Sequence, residues 1–236
     1  MRSLIAARPL DGPGRLFVLI GRGTFSAAQF AVHELEKYTD AVFVGEPTSG
    51  KPNSYGDSRK TLLPRSGVTV RASIFWWQEH PLDARPWKAP DVAAELTSAD
   101  YRANVDPAMQ AALKYRPGPP LADRMRSAFA AGDSTGALRL HREYKRDPRY
   151  AYADTEERIN ALGYELLGQE RVGPATALFE LNAAAYPRSA NAHDSLGEIY
   201  MVAGRREEAI RSYRKSLELN PGNLGALGKL KELGAT

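Results

Sequence analysis

The chain predicts a two-part fold. The first part is an α/β region with a small, mostly parallel sheet, a crossover helix and a hairpin, and the second is an all-α array of helical repeats. Three observations predict it. Short apolar runs alternate with one segment of helical period up to about residue 115. A proline- and glycine-rich stretch, Arg116-Pro117-Gly118-Pro119-Pro120, then breaks the pattern, and a 34-residue self-similarity runs through the remainder. The domain boundaries read from these signals are 1–115, a linker at 116–120, and 121–236.

Arg15–Ile20 is a short continuous apolar run, as expected of a strand covered on both faces. Residues 26–38 switch to helical period, with Ala27, Phe30, Ala31, Leu35 and Tyr38 on one face and Gln29, His33 and Lys37 on another. Ala41–Val44 reads as a second buried strand. Strand, helix and strand in so few residues imply a right-handed crossover between parallel neighbours. Gly45–Asp57 is rich in turn residues, and Lys60–Leu63 with Val68–Trp76 reads as a hairpin around Pro64-Arg65-Ser66-Gly67. Residues 79–100 read as irregular. Asp106 to Tyr115 reads as a short helix capped by Asp106, with Pro107 at its first position.

In the second part, Leu162, Gly163, Ala175, Phe179 and Pro187 each precede Leu196, Gly197, Ala209, Tyr213 and Pro221 by 34 residues. Small residues where two helices cross, an aromatic on the second helix and a proline at the exit are the tetratricopeptide pattern. The clear repeats span about 156–189 and 190–223, and Ala192 and Ala226 carry the register into a final helix at 223–233. Residues 121–147 read as an earlier helix pair, although Ala128, Phe129, His141 and Lys145 do not keep the register.

Composition excludes several classes of chemistry. The 236 residues carry 32 Lys and Arg against 28 Asp and Glu, a net +4 without a long basic block, which argues against nucleic acid as a partner. Without cysteine there is no disulfide, thiolate metal site or cysteine nucleophile. The four histidines fall in no zinc-binding spacing, so a zinc site is not expected, and no motif implies another metal or an organic cofactor. No run is long enough for a transmembrane helix, and the start, Met1–Pro9, has too short an apolar core for a secretion signal.

One pair of residues suggests catalysis. Ser26 lies in Gly23-Thr24-Phe25-Ser26-Ala27-Ala28-Gln29 and Lys51, 25 positions later, in Gly45-Glu46-Pro47-Thr48-Ser49-Gly50-Lys51-Pro52-Asn53. Taken alone, Ser-x-x-Gln at a helix start is a capping box, and Lys51 a solvated loop residue. Taken together, a serine at a helix N-terminus sits beside backbone N–H groups that can hold an oxyanion, and a buried lysine can take its proton. His33, seven residues beyond Ser26, lies about 10 Å along the helix and is too far to act as base.

These segments resemble the C-terminal-processing (tail-specific) serine peptidases, in the branch related to interphotoreceptor retinoid-binding protein. Ser26 and Lys51 match the family's serine and lysine in type, spacing and flanks, and Ala27 matches the residue whose N–H contributes to the oxyanion hole. Pro52–Asp57, Leu63–Gly67 and Ala89–Val92 resemble further stretches of that branch, so the likeness covers roughly residues 1–115. It implies a peptidase that attacks a peptide carbonyl through Ser26, with Lys51 as general base, and forms an acyl-enzyme. It also implies a parent protein working outside the cytoplasm. Tyr55 stands where some members carry a lysine-orienting glutamine. The family's Asp-Leu-Arg-x-Asn-x-Gly-Gly turn is absent upstream of Ser26. The resemblance therefore predicts the C-terminal portion of a peptidase domain, with the Arg15–Ile20 edge uncovered and activity of the fragment left open.

Other residues have both structural and functional readings. Trp76 and Trp77 read as sheet-packing aromatics or as the lining of a peptide groove. Asp57, Asp83 and Asp91 read as turn and cap residues or as a third catalytic group. Asn160, Asn191, Asp194 and Glu198 read as a solvated helix face or as part of a concave binding surface. Two functions follow: a serine peptidase acting on a peptide or protein substrate, with repeats that recruit a protein partner, or a non-catalytic protein-binding module.

Overall fold

A computed structural model describes residues 12, 14–78 and 80–235; the reading of Met1–Pro9 lies outside them. The chain forms two compact units. One holds the residues up to Gly118 together with Lys145–Ala153, and the other Pro119–Tyr144 and the residues from Asp154 onwards.

In the α/β unit, strand β1 (Phe17–Ile20) leads into helix α1 (Ala27–Tyr38) and strand β2 (Val42–Gly45). The hairpin follows as β3 (Ser54–Leu62) and β4 (Thr69–Trp77), then β5 (Val92–Ala93), α2 (Ser98–Arg102) and α3 (Pro107–Lys114). β1, β2 and β5 form a parallel sheet in that order, with Phe17 opposite Val42 and Val44 opposite Val92. β2 is central and buried throughout, whereas β1 lies at an edge, with Leu19 40% exposed.

The short strand β5 falls inside the stretch expected to be irregular. Its two residues are too few for a periodic signal, and pairing alone defines them. Asp91 locks it in place: its carboxylate accepts from Phe43 N at 2.8 Å and its own N–H donates to Phe43 O at 2.7 Å. Asp106 caps α3 as expected, accepting from Met109 N at 2.9 Å. Gly45 is costly to replace: at φ 127° a Cβ there would lie 2.1 Å from Ile20 O.

The buried side of α1 is not the apolar face expected from its sequence. Ala27, Ala31 and Tyr38 are exposed, and the buried residues are Gln29, Val32 and His33. The physical reason is an ionic and hydrogen-bonded network packed against that side, described below. Trp76 and Trp77 are 48% and 39% exposed on the hairpin, and Trp77 meets Phe30 edge-on at 6.0 Å.

The helical unit contains α4 (Leu121–Ala130), α5 (Ser134–Arg146), α6 (Glu156–Gly168), α7 (Val172–Ala185), α8 (Ala190–Val202), α9 (Arg206–Leu219) and α10 (Leu224–Glu232). One continuous core runs from Leu121, Met125 and Phe129 to Ala226 and Leu230. The repeated residues show why the period holds. A Cβ on Gly163 would lie 2.7 Å from the Phe179 ring, and one on Gly197 would lie 2.8 Å from Tyr213, so glycine lets each aromatic close on the neighbouring backbone. α4 and α5 occupy the expected pair at 121–147. Phe129 and His141 are buried there although they break the register.

Candidate functional site

The α/β unit brings the Ser26 and Lys51 turns together. Ser49 N donates to Thr24 O at 3.2 Å, and Gly50 packs so closely on Gln29 that a Cβ would stand 3.0 Å from Gln29 Oε1. Thr48 pins the same loop to Lys88 through two hydrogen bonds of 3.0 Å. Gly45, at the end of β2, launches the loop.

Ser26 stands at the N-cap position of α1, but the expected capping box does not form. Its backbone has φ 56° and ψ −122°, and its side chain makes no cap hydrogen bond. That positive φ is costly for a residue with a Cβ, and Ser26 is exposed. The N–H groups of Ala28, Gln29 and Phe30 go to Phe25 and Ser26 carbonyls, while Ala27 N–H has no acceptor among the described residues. Ser26 and Lys51 are both exposed, and no hydrogen bond joins their side chains. Lys51 lacks the enclosure that its expected role as base calls for. A cleft of about 540 Å³ opens at the carboxyl ends of β1, β2 and β5, lined by Ile20, Gly45, Glu46, Leu96, Tyr101 and Val105, and neither Ser26 nor Lys51 borders it.

Beside this turn lies a polar cluster that sequence reading missed. Gln29 Nε2 is 2.7 Å from His33 Nε2, and His33 Nδ1 is 3.3 Å from Glu36 Oε2. Arg85 binds both Glu36 oxygens at 2.8 and 2.9 Å and also pairs with Asp83, while Lys88 Nζ lies 3.0 Å from Glu36 Oε1. Burial opposes ionisation of Glu36, but hydrogen bonds from His33 and Arg85 and the charge of Lys88 outweigh it, holding its carboxyl well below the usual range. Asp83 is lowered too, by its hydrogen bonds to Arg85. The spacing of Gln29, His33 and Glu36 on one helix face was the available signal. Asp83 and Asp91 thus hold structure, and Asp57 is exposed at φ 48° on the hairpin.

In the helical unit, the first helix of each pair carries the second candidate. Tyr164 of α6 donates to Glu198 Oε2 of α8 at 2.7 Å and lies 3.2 Å from Ser195 Oγ. Asn223, at the start of α10, donates to Asp194 Oδ1 at 3.0 Å. Asn191 lies 3.5 Å from Glu156 Oε1. Burial raises the Asp194 carboxyl and pushes the Tyr164 phenol up to about 12. A strip of carboxylates, amides and a phenol therefore crosses three helices, and its carboxylates, Glu156, Asp194 and Glu198, make it acidic.

The tetratricopeptide repeat family model matches residues 190–223. That segment is a tetratricopeptide repeat. It coincides with α8, α9 and their connection to α10, the second repeat expected from the 34-residue period. A search of curated proteins finds no match.

Among solved structures, the chain is similar to the first tetratricopeptide domain of human RPAP3, at 18% identity over 48% of this chain and 87% of that one, TM-score 0.34. It is similar to MamA at 20% identity over 50% and 68% of the two chains, TM-score 0.33. A mutant Thermobaculum terrenum O-GlcNAc transferase matches at 25% identity over 48% and 21%, TM-score 0.33. Among the described residues no helix is long and apolar enough to cross a membrane, and no cluster of side chains has the make-up to hold a metal ion.

Proposed function

We propose that this chain is a protein-binding module whose helical repeats receive an extended peptide bearing basic side chains. The repeat at 190–223, stacked on one continuous core, carries the reading, because stacked helix pairs present an extended binding surface. The acidic strip supplies the preference: Asp194 and Glu198 favour lysine or arginine, while Asn160, Asn191 and Tyr164 offer hydrogen bonds to a peptide backbone. The test is fluorescence anisotropy with lysine-rich and glutamate-rich peptides of matched length. Tighter binding of the basic set is expected, weakened roughly tenfold by Asp194→Asn with Glu198→Gln. Equal binding of both sets overturns the preference.

A second reading treats Ser26 as a nucleophile, with Lys51 as its base and Ala27 N–H in the oxyanion hole. The exposed Ser26, held at positive φ with its side chain unused by the helix cap, and the open Ala27 N–H favour it. On this reading Lys51 must fold inward as a peptide substrate binds, since burial is what makes an amine a base near neutral pH. Labelling by a fluorophosphonate probe that disappears in both Ser26→Ala and Lys51→Ala supports it. Labelling indifferent to Ser26 rejects it.

A further inference from the structure

The hairpin β3–β4 is exposed along nearly its whole length, on both faces. Residues 51–78 hold Lys51, Arg59, Lys60, Arg65 and Arg71 against the single carboxylate Asp57, so this segment's net +4 equals that of the whole chain. Among the described residues none of these five cations is ion-paired.

Two features of the ribbon go against ordinary sheet stability. Lys60 stands directly opposite Arg71, a like-charge cross-strand pair that destabilises a hairpin unless an anion screens it. Ser58 and Ser73, the next pair on that face, add two hydroxyls beside the cations. Beyond them the tip is apolar: Leu62, Leu63, Val68 and Val70 are 63%, 42%, 54% and 43% exposed.

We infer that the β3–β4 hairpin docks tip-first on an anionic phospholipid bilayer, with Lys60 and Arg71 at the headgroup phosphates and the Leu62–Val70 tip in the acyl boundary. Geometry favours a bilayer over a protein partner. Leu62 and Val70 lie on opposite faces of the ribbon, and a protein partner seated on one face leaves the other bare, whereas a bilayer surrounds both. The Lys60–Arg71 row stands about 7 Å behind the Leu62 row, which matches the roughly 5–10 Å reached by interfacial segments. Arg59 adds a cation on the other face. Arg65, at the turn itself, has a stem long enough to return its guanidinium to the headgroup level. The ribbon's net positive charge repels a second copy of itself.

Sedimentation of the full chain with phosphatidylcholine vesicles, with and without one quarter phosphatidylglycerol, tests this. Binding is expected to the anionic vesicles alone and to fade in high salt. Lys60→Glu with Arg71→Glu should weaken it by about 30-fold or more, since each cation near such a surface contributes roughly fivefold. Leu62→Ser with Leu63→Ser should weaken it at unchanged charge. Arg124→Glu with Arg158→Glu, on the helical unit, makes the same change in net charge and should have little effect. Circular dichroism of each variant checks that the fold is kept. The inference falls if anionic vesicles are not bound, or if the helical-unit pair loses as much binding as the hairpin pair. It falls equally if the chain captures a single-stranded oligonucleotide, or associates with itself through the hairpin, without binding vesicles.

Discussion

In the helical unit the largest buried side chains are Tyr213, Phe129, Phe179, Met125 and Ile159; in the α/β unit Val32, Phe43 and Val44 share the interior with Gln29, His33 and Lys88. The first unit is held by shape, with an aromatic ring seated against Gly163 and another against Gly197. The second is held by a small apolar sheet and by charges that must find one another. Packing of the first kind is insensitive to pH and intolerant of lost volume, whereas the second kind depends on carboxylates staying ionised. The contrast also separates the candidate functions, since the acidic strip sits on rigidly packed helices and the Ser26 turn rests on the polar cluster.

The largest expected effect is Phe179→Ala, which empties the space facing Gly163 and should cost about 3–5 kcal/mol. Hydrogen-exchange mass spectrometry should show the loss of protection in α6 and α7 and leave the sheet untouched. Gly45→Ala should act in the opposite unit, costing about 3 kcal/mol through positive φ and the contact with Ile20 O. Protection should then fall in β1 and β2 and hold in the repeats. Loss spread evenly over both units after either substitution would break the contrast.

Glu36→Gln should cost about 2 kcal/mol, because it strands the nearly buried Lys88 and leaves Arg85 with Asp83 alone. The measurement is a denaturant titration, read by the fluorescence of Trp76, Trp77 and Trp87.

The smallest effect is on pH, and its sign differs between units. Glu36 and Asp83 have lowered pKa values, so their contribution is fully present above their ordinary values of 4.5 and 3.8. It is lost as pH falls below that range towards the folded values. Asp194 is raised by burial, so its unfavourable charge is relieved as pH falls through its folded value, and relief is complete below 3.8. Exchange measured down to pH 3.5 should therefore loosen the α/β unit before the repeats. Simultaneous loosening would mean that the polar cluster contributes little.

The repeat architecture was legible because its signal is redundant: Leu162, Gly163, Ala175 and Phe179 recur as Leu196, Gly197, Ala209 and Tyr213, and each must meet the same neighbour in its own copy. β1, α1, β2 and the hairpin were legible from apolar runs and turn residues. The buried side of α1 was not. Hydrophobic period put Ala27, Phe30 and Leu35 on one face. Leu35 is partly buried against the core, but Gln29 and His33 are buried deeper, because His33 bonds Glu36, whose partners Arg85 and Lys88 lie about 50 residues further along the chain. β5 escaped for the same reason.

The sequence by itself thus determined the period, the crossover order and the two turns that carry Ser26 and Lys51, all local patterns written in neighbouring residues. Only the tertiary structure decided that Ser26 is exposed at positive φ without a side-chain cap bond, and that Lys51 lies in the open. It alone paired Lys60 with Arg71 across the hairpin and joined Tyr164 to Glu198 across two helices. Backbone strain, enclosure and cross-strand or cross-helix neighbours are properties of distant segments brought together, and no local pattern encodes them.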